Sequence, residues 1–377
     1  MMKKILSIVF LAVFLSSASA GEPLSIRVAI LKDKDNVLIG VSGPFDIVDL
    51  KKNKVLFSGR DMSSAGVCAV KEGIKIKDSV YAAEAILIAP KKKISVVVDK
   101  RRYRGNVSIF KDSLGKLTVV NKLDLESYIK GVLYHEISHK WPMDAIKAQA
   151  VAVRTYAMYQ KEVMKNKNYD VTADTSSQVY GGYLSEQTKT NRGVSLTQGE
   201  VLLYKNKLFP AYFHATCGGV TENASELWNI NIEPLRGGRV CGFCTKSPHY
   251  HWKAQMSLKD LSSRLCGKYG FEGEIADISI AERNPTGRVR TIAFKDSLDR
   301  SYQVSAKDFR FLIGPDTLRS TNFSISLDGG HVVFTGKGWG HGVGLCQWGA
   351  YGMSKQGFGY EEILNIYYPG AKIVHLS

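Results

Sequence analysis

The chain has 377 residues, 44% hydrophobic and 23% charged, a balance that excludes a disordered polymer and leaves room for one large domain or two ordinary ones. Fifty-one Lys and Arg against 35 Asp and Glu give a formal charge of +16, still +14 without Lys3 and Lys4. Such an excess draws polyanions by steering and counterion release, and the competing reading is a surface that is merely solvated.

The first twenty residues read as a secretory signal: Lys3 and Lys4, an apolar run over 5–15 broken by Ser7, then Ala18-Ser19-Ala20. The run is too short for a spanning helix, which needs about 20 apolar residues. The expectation is an exported chain in the periplasm or cell-wall space, with no transmembrane segment after processing. Export turns the basic surface away from nucleic acid and toward wall glycan, teichoic-type polymers or lipid headgroups.

Residues 21–100 read as a small β module. Runs at 26–31, 37–41, 45–50 and 94–98 are rich in β-branched residues, and 32–36 and 51–54 read as hairpin turns. The basic run Lys100-Arg101-Arg102 marks the expected boundary with a second domain, 101–377. There Leu125, Tyr128, Ile129 and Val132 recur at helical spacing behind Asp124, a fair N-cap. Pro142 predicts the start of a second helix through Ala157, with Ile146, Ala150, Val153 and Ala157 as its buried stripe. The loop between the two holds His135, Glu136, His139 and Trp141. Beyond Tyr169 the chain reads as mixed β and loop, with a glycine-rich stretch at 336–344 and a last short helix, 360–367, stopped by Pro369-Gly370. The fold class is α+β: the β module, then a mixed domain whose helical hairpin presents Glu136 at an open cleft.

Residues 123–157, LDLESYIKGVLYHEISHKWPMDAIKAQAVAVRTYA, resemble the signature of the SpoIID/LytB family, the stage II sporulation protein D group. Further blocks follow in the same order: Asp174-Thr175 with Gln178-Val179-Tyr180-Gly181, FHATCGGVTENASELW (213–228), SPHYHW (247–252) and GKGWGHGVGLCQWGAYGMSKQG (336–357). The resemblance implies either a lytic transglycosylase or an activator of wall amidases. Such transglycosylases cut between N-acetylmuramic acid and N-acetylglucosamine without adding water and leave a 1,6-anhydro end, here on glycan stripped of its peptides. The implied partners are therefore peptidoglycan glycan strands and a cell-wall amidase.

Glu136 matches the family's catalytic glutamate. Attack by the sugar's own hydroxyl needs no activated water, so one carboxyl serves as acid and then base. It must start protonated near neutral pH, which burial against Ile137 and Trp141 would arrange. On spacing alone it reads as a surface glutamate. Arg154, on the flank of the apolar stripe, matches a motif arginine. Its two readings are a structural ion pair and a bidentate hold on the muramic lactyl carboxylate. His214, Tyr250, His341 and Gln347 are cleft candidates: Tyr250 and Trp252 for sugar stacking, His341 and Gln347 for hydrogen bonds, each against a packing role.

The chemistry needs no cofactor. Family members usually carry serine at positions 217 and 346, and a zinc site that some hold before the Gln-Val-Tyr block is absent here. This chain instead offers Cys217, Cys241, Cys244 and His249 (or His214) as a tetrahedral set for a structural zinc. The rival is disulfide bonding, the default for exported cysteines.

Overall fold

The computed structural model describes residues 24–174, 177–270 and 273–376; residues 1–20, expected to be a signal, and Thr175 of the matched block lie outside the described residues. The fold is α+β, with many strands in several sheets and eight α-helices among the described residues. None of those helices is long and apolar enough to cross a membrane.

Alternation of apolar and polar residues in the N-terminal quarter builds two packed sheets. The larger runs in the order Val171–Thr172, Ser25–Lys34, Leu117–Asp124, Asn106–Lys111, Ala85–Pro90, Phe45–Asp49, Lys54–Gly59. The smaller runs Arg101–Tyr103, Val96–Val98, Asn36–Val41, Met62–Val70, Gly73–Ile76, Ser79–Tyr81. Their inward residues, among them Ile26, Val28, Ile39, Ile47, Val67 and Ile86, share one core. The turn at 51–54 closes a hairpin, as expected, because Phe45–Asp49 pairs with Lys54–Gly59. The segment 32–36 does not. Ser25–Lys34 pairs with Leu117–Asp124 while Asn36–Val41 pairs with Met62–Val70, so the bend at Asp35 carries the chain from one sheet to the other. The basic run at 100–102 turns into Arg101–Tyr103, an edge strand of the smaller sheet, and the larger sheet draws further strands from the chain through Asp124.

At Asp124 the strand becomes helix α1, Leu125–Glu136, and the Asp124 carboxylate accepts from Ser127 N. Helix α2, Met143–Val163, follows with Pro142 at its cap and runs six residues beyond Ala157. It is buried all round over two cores. Ile146, Ala150, Val153 and Ala157 face the β module, as expected, whereas Ala145, Ala148, Val151 and Ala152 face a second core. Against that second face pack Gln347–Lys355 and Tyr360–Tyr367, the latter ending before Pro369-Gly370.

Residues 251–337 form a separate lobe within the stretch expected as mixed β and loop. The chain enters by His251–Ser257 and leaves by His331–Lys337, which pair antiparallel along their whole length. Between them a three-stranded sheet and helices Leu258–Tyr269 and Ala306–Ile313 enclose a core of Phe294, Phe309, Phe323 and Phe334. Gly338 N then donates to Tyr250 O, returning the chain beside its point of departure.

Candidate active site

Helix α1 ends at Glu136 because Ile137 turns extended, with φ −141° and ψ 156°. That places a carboxylate at the negative end of the helix dipole, where ionisation is disfavoured. Ile137 is buried, and Trp141 packs on Trp348 and Tyr351 with ring centroids 5.2 Å away in each case. The expected apolar walls are therefore in place. Burial pushes the Glu136 carboxyl up to about 7, against hydrogen bonds from the Gln347 amide at 3.5 Å and from the Val179 backbone that pull it down. Near neutral pH both protonation states are populated, as a group serving first as acid and then as base requires.

Glu136 lines a cavity of about 1240 Å³ between the lobes. One wall is the α1–α2 loop with Tyr156 and Val179; another is the glycine-rich segment with Trp339, His341, Gln347 and Trp348. Opposite stand Lys307, Arg310, Phe311 and Asp316, all from the 251–337 lobe. Burial pulls Arg310 down to about 10, and its Nε has no hydrogen-bond partner, so the guanidinium retains a free donor at the wall. Lys307 donates to Leu227 O at 2.8 Å, tying the lobe to the Trp228 segment.

The expected site residues separate into two groups. His214, His341 and Gln347 line the cavity with Glu136. His214 Nδ1 donates to Val343 O at 3.1 Å, and its buried Nε2 is left as an unpartnered acceptor. Burial, then the Arg288 charge, pull its ring down to about 3, so it stays neutral. His341 accepts from Val343 N at 3.1 Å and is boxed by the rings of Tyr212, Trp228 and His214. Burial also holds it well below the ordinary range. Gln347 is the one that touches Glu136.

Arg154 does not reach the cavity. It is fully buried and grips Glu126 with two hydrogen bonds of 2.8 Å, donating also to Glu200 O and Val194 O. Four of its five N–H donors are committed inside the protein and none faces the cavity wall, so of its two readings the structure places it in the ion pair. Tyr250 packs on the second core beside the cysteines, and Trp252 is buried in the 251–337 lobe, neither lining the cavity. The aromatics at the cavity wall instead include Tyr134, Trp141, Tyr212, Trp228, Trp339 and Trp348. Trp228, Trp339 and Trp348 lie inside the matched blocks, and that was the available signal.

Cys217, Cys241 and Cys244 converge, but the fourth member of their cluster is Cys346, not His249. All four thiols are free and buried, with their sulfurs within 4.8 Å of one another. His249 faces the cavity, its ring 4.4 Å from that of Trp339 and its Nδ1 3.5 Å from the Arg319 guanidinium. Pro248 and the Tyr250 turn aim it away from the sulfurs.

The family described as "Stage II sporulation protein" matches residues 113–204, which contain α1, α2 and Glu136. A second, described only as a domain of unknown function, matches 241–344 and so covers the inserted lobe. An uncharacterized protein of Brachyspira hyodysenteriae is 34% identical over 93% of this chain and 92% of its own length. The amidase enhancer of Bacillus subtilis is 30% identical over 65% of this chain, which spans 40% of that protein. Stage II sporulation protein D of Bacillus amyloliquefaciens is 30% identical over 67% of this chain and 75% of its own length. By sequence, and by the blocks that converge on Glu136, the chain belongs to the SpoIID/LytB family.

Proposed function

We propose that the protein is an exported lytic transglycosylase, cleaving the bond between N-acetylmuramic acid and N-acetylglucosamine in peptide-stripped glycan strands. The observation that carries this reading is the half-buried Glu136, raised to about 7 at the wall of an aromatic-lined cavity. The carboxyl donates its proton to the leaving glycosidic oxygen. The resulting carboxylate then takes the proton of the muramic 6-hydroxyl as that oxygen closes on the anomeric carbon. No water enters, which suits a site whose carboxyl in apolar surroundings is Glu136, the other carboxylate at the wall, Asp316, being exposed. Arg310 and Lys307 supply the cationic face for the lactyl carboxylates of stripped strands, a role the sequence had suggested for Arg154.

A second reading, a wall-binding activator of an amidase, is favoured by the relative named an amidase enhancer. Digestion of purified strands, with and without stem peptides, read by mass spectrometry, decides between them. Anhydro-muramic products from stripped strands support cleavage. Intact strands, together with faster peptide release by an added amidase, support activation.

A further inference from the structure

We propose that Cys217, Cys241, Cys244 and Cys346 hold one zinc ion as a buried tetrathiolate that clips together three distant segments behind the active-site wall. A zinc–sulfur distance near ~2.3 Å puts the sulfurs of a tetrahedral site about 3.8 Å apart. The Cys217 and Cys244 sulfurs are 3.5 Å apart, and every pair lies within 4.8 Å. A disulfide draws its two sulfurs to about 2.05 Å, whereas these four cysteines are all free and Cys217 and Cys244 stand at the spacing of ligands around one tetrahedral ion.

The backbone is shaped for this convergence. Cys241 and Cys244 flank a single 3-10 turn, so both sulfurs bite from one side. Cys217 arrives on a turn continued by Gly218 and Gly219, both at positive φ (77° and 113°). A Cβ on Gly218 would lie 2.8 Å from the Lys337 carbonyl carbon, so only glycine admits the approach. Cys346 caps helix Gln347–Lys355, and a Cβ on Gly349 would lie 3.0 Å from Cys241 Sγ.

The outer hydrogen bonds also point at thiolate sulfur. Cys346 Sγ accepts from Cys217 N and Gly349 N, each at 3.3 Å, and Cys241 Sγ lies 3.1 Å from the Tyr367 hydroxyl. Donors of this kind orient metal-bound thiolates and spread their charge. A zinc tetrathiolate carries a net charge of −2, and the buried Arg288, shared with Glu222, donates to Cys217 O at 2.6 Å. Zinc is redox-silent, and metal-bound thiolates are shielded from pairing in an oxidising compartment. The clip ends at Cys346, one residue before Gln347, so it fixes the segment that hydrogen-bonds Glu136. It does not depend on which reaction the cavity supports.

The test is metal analysis of the full chain purified without chelator, paired with a thiol count under denaturing conditions before and after chelation. One zinc per chain is expected, with four thiols protected until zinc is removed. Cobalt exchanged into the site should show the visible bands of a tetrahedral thiolate complex. Cys346→Ser should lose most of the metal, whereas Cys266→Ser and His249→Ala should keep it. Tyr367→Phe, which retains the packing, should weaken zinc affinity about 10–100-fold. Chelation should raise hydrogen exchange in Gln347–Lys355 well before Ser25–Lys34. Metal-free protein with four free thiols or with disulfides among these cysteines, iron in place of zinc, or full zinc in Cys346→Ser would each overturn the proposal.

Discussion

The two ends of α1 each carry a glutamate in opposite surroundings. Glu126 lies in the first turn, where the helix dipole favours a negative charge, and Arg154 holds it from a fully buried position while Gly199 N adds a third donor. Glu136 lies ten residues on, at the end where the dipole opposes charge, with hydrogen bonds from the neutral Gln347 amide and the Val179 backbone. One carboxylate is paired with a buried guanidinium for stability. The other is held close to neutral pH at a cost to stability, and such a cost persists where a group has work to do.

The largest expected effect comes from removing that second group. Glu136→Gln preserves shape and the acceptor for Gln347 but cannot transfer a proton. Cleavage of stripped strands should fall about 10²–10⁴-fold while glycan binding persists. Turnover within a few-fold of the unmodified protein would remove Glu136 from the chemistry. At the other end, Arg154→Ala should act on folding. It strands Glu126 and the carbonyls of Val194 and Glu200, at a cost of about 3–5 kcal/mol, read as a lower denaturation midpoint. If Arg154→Ala stayed as stable as the parent and lost glycan affinity instead, the two ends would not differ as described.

How far this contrast is legible in sequence differs between the two residues. The helices themselves read clearly, because Leu125, Tyr128, Ile129 and Val132 repeat at helical spacing and Asp124 is a good cap. Glu136 was marked by the motif around it, and its burial followed from Ile137 and Trp141. Arg154 was ambiguous because a charge beside an apolar stripe looks the same whether its partner is a ligand or a glutamate on another helix. Cys346 is absent from the expected ligand set, and the parallel pairing of Phe213–His214 with Leu345–Cys346, which no local pattern announces, brings it to Cys217. The inserted lobe was missed for a similar reason. Its short strands become a unit only when His251–Ser257 meets His331–Lys337, a pairing that no local period announces. With it went Lys307, Arg310 and Asp316, three of the four Asp, Glu, Lys and Arg side chains at the cavity wall among the described residues.

The contrast also has a pH signature. A carboxyl raised to about 7 in the folded state and near its ordinary value in the unfolded chain binds more protons when folded over the interval between them. Its contribution to stability is therefore fully present below the unfolded value and is lost as pH rises through about 7. Glu136→Gln, which never ionises, should melt higher than the parent at alkaline pH, with the difference shrinking as the pH falls toward the ordinary carboxylate range. A difference independent of pH would mean that the substitution acts through packing alone.

The smallest expected effect concerns Asp316, an exposed residue and the other carboxylate at the cavity wall. Its presence makes hydrolysis the natural rival of non-hydrolytic cleavage. An inverting glycosidase needs a second carboxylate about 6.5–9.5 Å from the first to activate water, and a retaining one needs a nucleophile about 5–5.5 Å away. Asp316 follows helix Ala306–Ile313, exposed and near Arg310, a setting suited to balancing the guanidinium rather than attacking an anomeric carbon. If the muramic 6-hydroxyl is the nucleophile, Asp316 has no step to perform. Asp316→Asn should then change turnover by no more than a few-fold, and mass spectrometry should still find anhydro ends with no incorporation of heavy oxygen from labelled water. Loss of turnover in Asp316→Asn, with labelled reducing ends from the unmodified protein, would make the pair Glu136 and Asp316 a hydrolase instead.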